Sequence, residues 1–223
     1  MEIKFEPIIA EAAPALQVVT IEATVNNSET SDELWNMIER AAADLREVTE
    51  LSDINKRPGI RATREAYKAC GKEPNRYRPS AEALSRRAVK GMELYRINTL
   101  VDLINLVSLQ SGYSIGGFDA DRIEGGVMTL GVGREGEPFE GIGRGELNIA
   151  NMPVYRDAVG GVGTPTSDNE RTKLSLDTTR LLMCINVYGE EMPIDDTVAL
   201  TLSLLEKYAE ADDVKVDIYK PEK

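Results

Sequence analysis

The sequence contains no histidine and only two cysteines. Catalysis by a Ser/His or Cys/His pair is therefore excluded, because both pairs use an imidazole as the general base. A zinc site is excluded as well, since Cys70 and Cys184 lie far apart in the sequence and no imidazole can complete their ligand set. We expect two reduced, structural thiols, and neither a metal nor another cofactor.

The sequence also lacks a long hydrophobic run. No run approaches the roughly 20 apolar residues that a membrane helix needs. The first residues carry Glu2 and Glu6 instead of a basic region followed by an apolar core, so we expect no secretion signal, no membrane association and a cytoplasmic protein. With 223 residues, of which 42% are hydrophobic and 29% charged, the chain can bury a substantial core.

Positive charge is scarce overall but concentrated in one segment. The net charge is −12, yet residues 56–96 contain twelve basic and four acidic residues, so this segment carries +8 and the rest of the chain −20. Such an asymmetry favours a phosphate-bearing partner, because each neutralised phosphate releases counterions. The alternative is a solvated helical face that pairs with acids elsewhere. Tyrosines lie between the basic residues and suit base stacking. The candidate RNA-binding residues are Arg64, Arg76, Arg78, Arg86, Arg87 and Arg96.

Apolar periodicity predicts helices towards both ends of the chain. Residues 16–27 predict a strand, and Thr30 with Glu33 has the spacing of a capping box at the start of a helix. Two further helices, each ending at a glycine, are predicted at residues 63–71 and 80–91. Thr99 and Asp102 predict the start of a helix that is apolar nearly all round and therefore buried.

Short strands separated by Gly and Asp are predicted between Gly112 and Gly189. A helix over residues 195–209 and an alternating, edge-type strand over residues 214–219 follow. Strands clustered in the middle, with helices before and after them, imply an α+β fold and not repeated β-α-β units. We find no internal repeat or linker, and expect residues 1–223 to form a single domain.

Polar side chains are concentrated in one loop, residues 164–173. Hydrolysis of an ester needs a positioned water and donors for the developing oxyanion, which carboxylates, hydroxyls and backbone amides can supply. Each of these residues alone is typical of an ordinary surface loop, and only the large number of polar residues in so short a segment predicts a site. The candidate catalytic residues are Glu170, Asp168 and Thr166, and the candidate substrate-binding residues are Thr164, Ser167, Arg171 and Lys173.

A second polar group lies on the predicted buried helix. The spacings of Asn98, Asp102 and Asn105 place them on one helical face. Either they cap the helix and form buried hydrogen bonds, or they line the wall of a substrate pocket opposite the 164–173 loop.

Three stretches resemble one known family. FDADRIEGG, residues 118–126, is similar to a stretch of the B3/B4 domain of the phenylalanyl-tRNA synthetase β chain. GREGEPFEGIGRGEL and DTTRLLMCI, residues 133–147 and 177–185, continue the likeness. Over residues 15–190 the chain resembles the freestanding B3/B4 proteins, which consist of this domain without the synthetase body. Aminoacylation is therefore not expected.

The resemblance implies a sandwich-like sheet core flanked by helices. It also implies tRNA or aminoacyl-tRNA as the partner, since in the synthetase this domain hydrolyses the ester of a tyrosine mistakenly attached to the phenylalanine tRNA. The family's glutamate matches Glu170, but its editing histidine matches Gly116 and is absent here. We therefore predict trans-editing hydrolysis of a misacylated tRNA. The alternatives are a non-catalytic RNA-binding module and a small-molecule hydrolase or binder that uses the same pocket.

Overall fold

Two sheets and a layer of helices form the fold of this computed structural model, which describes residues 1–222. The helices are α1 (Pro7–Ala12), α2 (Asp32–Val48), α3 (Pro58–Ala69), α4 (Ser80–Val89), α5 (Thr99–Ser111) and α6 (Ile194–Ala209). The strands are β1 (Glu2–Phe5), β2 (Gln17–Thr24), β3 (Ser114–Asp119), β4 (Val127–Val132), β5 (Glu140–Gly141), β6 (Gly145–Glu146), β7 (Pro153–Arg156), β8 (Gly161–Gly163), β9 (Arg180–Val187) and β10 (Asp212–Tyr219).

The first sheet is antiparallel throughout, in the order β10-β2-β9-β3. The second has the order β1-β4-β7-β8, with β1 parallel to β4 and the other neighbours antiparallel. β5 and β6 form a separate hairpin. Long-range pairing between strands that are distant in the sequence, with the helices grouped apart, confirms the predicted α+β class.

The first sheet separates two hydrophobic cores. Successive residues of a strand point to opposite faces, so Val19 and Ile21 of β2 pack with α2, α5 and α6, while Val18 packs against the second sheet. Phe118 and Tyr155 fill the space between the two sheets. The resulting order of layers is helices, antiparallel sheet and mixed sheet, as the family resemblance implies.

Both predicted capping boxes are displaced by one residue. The hydroxyl of Ser31 accepts the Leu34 N–H at 3.3 Å and begins α2, in place of Thr30. The Asn98 side chain accepts the Val101 N–H at 3.0 Å and begins α5, in place of Thr99. The Thr30 hydroxyl instead donates to the carboxylate of the buried Asp102, which joins the starts of the two helices.

α3 begins at Pro58, five residues before the predicted start, because a proline is well accommodated in the first turn of a helix. The C-terminal ends of α3 and α4 agree with the sequence. α3 and α4 are each followed within two residues by a glycine with positive φ, Gly71 at 86° and Gly91 at 67°, a conformation that costs glycine little. Both cysteines are buried and unpaired. Within residues 1–222 no helix is long and apolar enough to cross a membrane. The single domain remains a prediction, and its last residue, Lys223, lies outside the described residues.

Candidate functional site

A groove of about 530 Å³ runs along α4. None of the described residues that line it is acidic. Tyr95 at its edge is 68% exposed, and the Arg87 guanidinium lies 4.2 Å from the centre of its ring. The groove therefore combines positive charge with an aromatic face, the two features that bind a nucleic-acid strand. Its basic side chains are Arg76, Arg78, Arg86, Arg87, Lys90 and Arg144.

A buried carboxylate holds two of these guanidiniums in place. Glu82 of α4 is fully buried and lies 2.9 Å from Nε of Arg86, one helical turn further along α4, and 3.8 Å from Nε of Arg78, which precedes the helix. It also accepts from Arg64 Nη1 of α3 at 2.7 Å. Three cations around one carboxylate leave excess positive charge at the groove wall.

The structure places two of the predicted RNA-binding residues outside the lining of the groove. Arg64 is buried, and its guanidinium donates to Glu82 and to the side chain of Asn75. Its charge is used to compensate a buried carboxylate, so it is inaccessible to RNA. Arg96 lies outside the groove, where it donates to Asp32 Oδ1 at 2.9 Å and to the carbonyl of Thr30.

An apolar cavity of about 430 Å³ adjoins the groove, and Ser80 and Leu84 line both. It lies between α5, β3 and the 164–173 loop. Two serines, Ser80 and Ser108, line it, together with three longer polar side chains, Asn105, Asp168 and Lys173. The predicted helix and the predicted loop therefore do border one cavity. Its aliphatic walls are Leu84, Ile97, Val101, Ile104, Ile115, Ile142 and Leu174.

Asp168 is the carboxyl group of this cavity. Its Oδ2 accepts the backbone N–H of Gly117 at 3.2 Å. Burial raises the pKa of Asp168 to about 7, against which the single hydrogen bond from Gly117 has the smaller effect. Near neutral pH this carboxyl group can therefore both accept and donate a proton, as a general base or acid must.

Two glycines make room for this carboxyl group and for the neighbouring Phe118 ring. A Cβ at Gly163 would lie 2.8 Å from Asp168 Oδ1 and 2.7 Å from the Phe118 ring. A Cβ at Gly116, the position of the family's histidine, would lie 2.6 Å from the same ring and 3.5 Å from Asp168 Oδ1. A histidine at Gly116 would thus have to displace Phe118, which is fully buried. Asp168 therefore lies beside Gly116, the position at which the family resemblance implies a histidine.

Lys173 and Glu170 form an ion pair at the edge of the cavity. The Lys173 side chain is 42% exposed and lines the cavity, whereas its partner Glu170 does not. Thr166 lies in the groove, and its hydroxyl is 2.8 Å from that of Tyr67. The three predicted catalytic residues therefore lie in different places: Asp168 in the cavity, Glu170 at its edge and Thr166 in the groove.

Three other loop residues do not enter the cavity. The Thr164 hydroxyl accepts the N–H groups of Thr166 at 3.2 Å and Ser167 at 3.0 Å, which closes a turn. The Ser167 hydroxyl lies 3.3 Å from the carbonyl of Asp168. Arg171 forms a two-point ion pair with Asp157, at 2.9 and 3.0 Å. None of the three lines the cavity, because Thr164 and Ser167 bond to the loop's own backbone and Arg171 pairs with Asp157 outside the loop.

Only Asn105 of the predicted helical stripe lines the cavity. Asn98 caps α5, and Asp102 is fully buried, where it accepts the N–H of Ile97. Burial raises the pKa of Asp102. Asn98 and Asp102 both accept N–H groups at the start of α5, where the backbone donors have no partner within the helix.

Sequence reasoning missed Arg144 and Lys90 as groove residues. Arg144 lies in the glycine-rich β5–β6 hairpin, far from the basic segment, and only the fold brings it to α4. Lys90 lies in the basic segment, one helical turn after Arg86, and this spacing could have predicted that it shares a surface with Arg86.

Comparison with known proteins adds a family match. The family model described as the B3/4 domain matches residues 62–197, which include both groove and cavity. No curated protein matches the chain. Among 15 matching chains of solved structures is an N-terminal fragment of the phenylalanyl-tRNA synthetase beta-subunit from Pyrococcus horikoshii, with 12% identity and a TM-score of 0.47. The alignment covers 96% of this chain and 50% of that fragment, so this chain spans half of its length.

Proposed function

Because this chain belongs to the B3/4 domain family, we propose that it binds the aminoacylated end of a tRNA and hydrolyses the ester. The phosphates would occupy the basic groove and the amino-acid side chain the adjoining cavity. One observation carries the proposal: the groove and the cavity share Ser80 and Leu84, so a polyanion and an apolar side chain can be bound side by side.

The groove suits the polynucleotide part of this substrate. Its six basic side chains would replace phosphate counterions, whose release drives association. Tyr95 offers an exposed ring on which a terminal base can stack.

The cavity suits the amino-acid part. Its volume of about 430 Å³ accommodates an amino-acid side chain, and its aliphatic walls favour an apolar one. Asn105, Asp168 and Lys173 would fix the orientation of the ester and of its amino group at the polar side.

Asp168 is the proposed general base. A water beside it would add to the ester carbonyl carbon while its proton passes to the Asp168 carboxylate. The C–O bond to the ribose then breaks, the ribose oxygen takes a proton, and the products are the free amino acid and the tRNA. Neither histidine nor a metal is needed for these steps, because the pKa of Asp168 lies at about 7.

The first test is a deacylation screen over a panel of correctly and wrongly charged tRNAs. We expect hydrolysis of at least one of them, with a rate that rises towards pH 7 as Asp168 ionises. Asp168→Asn should lower the rate by roughly 10² fold and leave tRNA binding intact. The matched control is Asp121→Asn, at an exposed carboxylate that pairs with Arg180.

Two outcomes would change the proposal. If the wild type binds tRNA but hydrolyses no member of the panel, the chain is a non-catalytic RNA-binding module. If Asp168→Asn keeps full activity while Glu170→Gln loses it, the base is Glu170, as the family resemblance implies.

A further inference from the structure

We propose that this chain forms a two-fold symmetric dimer in which the free edges of two β10 strands pair antiparallel, with Val216 opposite Val216. The proposal concerns a surface remote from the groove and does not depend on the function proposed above.

β10 is an edge strand with an open side. It is the first strand in the order β10-β2-β9-β3, and residues 212–216 are all exposed. In an antiparallel sheet every second residue of an edge strand turns its N–H and C=O groups away from the sheet. Such a row of unpaired backbone groups is a template for another strand.

One face of the edge strand is an apolar stripe, whereas Lys215 and Asp217 lie on the other face. Val214, Val216 and Ile218 are 42%, 37% and 49% exposed. The register pairs Val216 with Ile21 and Ile218 with Val19, so the stripe continues the helix-covered face of the sheet beyond its edge. Exposed apolar side chains on a free edge favour association, and a second strand would bury them.

The sequence of β10 is complementary to itself in one antiparallel register. With Val216 on the two-fold axis, Val214 lies opposite Ile218 of the second copy and Lys215 lies opposite Asp217. Lys215 and Asp217 already pair along the strand, with Nζ and Oδ2 2.8 Å apart. In the dimer, four charges would alternate in sign both along and across the strands, an arrangement that stabilises cross-strand pairs.

The neighbouring registers are disfavoured by the same residues, and a register centred on Val214 would have to include the irregular segment between Asp212 and Lys215. Centring the pair on Lys215 or on Asp217 places that residue opposite its own copy, so that like charges face each other. If one strand shifts by a single residue along the other, Lys215 lies opposite Val216, so that the apolar face of one strand adjoins the charged face of the other. This self-complementarity identifies a second copy of the chain as the occupant of the edge.

The geometry limits the size of the interface and leaves the candidate site open. A shift of register between Asp212 and Lys215, where Asp213 has φ of 50°, ends the regular part of the strand. About five residues per copy then pair, so we expect a dissociation constant in the micromolar range. β10 and β3 lie at opposite edges of the sheet, and β3 contributes Ile115 and Gly117 to the cavity. The two cavities of a dimer would lie at the far ends of the joined sheet.

Sedimentation equilibrium of the intact chain tests the proposal. At about 100 µM, well above a micromolar dissociation constant, we expect a dimer. Val216→Lys places two ammonium groups together on the axis and should weaken the dimer at least about tenfold. Val48→Lys, the same change at a residue 82% exposed at the end of α2, should not weaken it. A monomeric wild type, or a Val216→Lys variant that dimerises like the wild type, overturns the proposal.

A charge swap tests the register. Lys215→Asp and Asp217→Lys should each weaken the homodimer, because each variant faces its own copy with like charges. An equimolar mixture of the two should form a heterodimer, since every opposed pair is then complementary. Far-UV circular dichroism checks that each variant is folded. Two folded variants that remain monomeric in the mixture would refute the register.

Discussion

At the scale of single residues, Asp168 is a carboxyl group whose surroundings oppose its ionisation. It lies against an apolar cavity and the Phe118 ring, and the Gly117 N–H is the hydrogen bond that favours its charged form. A protein that keeps such a group sacrifices stability for it, which is typical of groups that do chemistry.

Asp168→Asn should therefore stabilise the fold above neutral pH. An unfolded aspartate has a pKa of about 3.9, whereas burial raises the folded pKa of Asp168 to about 7. Between about pH 4 and 7 the unfolded state loses a proton that the folded state keeps, so stability falls as pH rises through this window. At pH 8 the free energy of unfolding of the variant should exceed that of the wild type by on the order of 2–3 kcal/mol, and at pH 4 the two should differ little. Urea denaturation at both pH values measures the difference, and an equal effect at both would contradict the account.

The sequence predicted the density of polar groups in the 164–173 loop, but not which of them enters the cavity. A strand or a long helix has a period from which orientation can be read, whereas a loop has none. Residues 170–172 form a single 3₁₀ turn, and Asp168 and Lys173 on either side of it enter the cavity while Glu170 does not. The family resemblance favoured Glu170, and the geometry favours Asp168.

At the scale of elements, a buried ion cluster joins α3 to α4 and thereby shapes the groove. Glu82→Gln should lower the free energy of unfolding by about 3 kcal/mol, because it leaves the buried Arg64 guanidinium without its countercharge. Glu65→Gln is the matched control, since its pair with Arg61 on α3 is exposed and 4.0 Å long, and should change stability by less than about 1 kcal/mol. Chemical denaturation of both variants measures this contrast. A Glu82 variant as stable as the control would show that the cluster does not hold the two helices together.

Elements with a clear period were predictable, and elements defined by distant partners were not. α4, α6 and β10 follow their predicted ranges because apolar spacing, an edge-type alternation and terminal glycines mark them. β1 and β8 are only four and three residues long, which is too short to show a clear alternation of apolar and polar residues. β1 is fixed by parallel pairing with β4, more than a hundred residues away, which no local pattern encodes. The sequence predicts Thr30 as a helix cap because its true partner, Asp102, lies 72 residues away and leaves no local signal.

At the scale of the whole molecule, the chain separates its charges in space. The groove collects basic residues from α4, its flanking loops and the β5–β6 hairpin, while the protein as a whole carries −12. A negative surface elsewhere repels a polyanion and so favours binding in the groove alone. The sequence predicted the asymmetry, but only the fold shows that Arg64 pairs with the buried Glu82, that Arg96 pairs with the exposed Asp32 outside the groove, and that Arg144 joins the groove.

The most direct test of the central claim is tRNA binding measured as a function of salt. If all six groove cations contact phosphates of a single strand, log K should fall with log salt with a slope of about −4. The double variant Arg87→Glu/Lys90→Glu reverses two groove charges without touching the Glu82 cluster. Arg61→Glu/Lys68→Glu makes the same change in charge on α3, outside the groove.

The account predicts that the groove variant binds tRNA at least about tenfold more weakly than the wild type, with a shallower salt dependence, and that the α3 variant changes much less. Binding by a folded groove variant that equals the wild type, or an equal loss in both variants, would contradict the assignment of the groove as the RNA-binding surface.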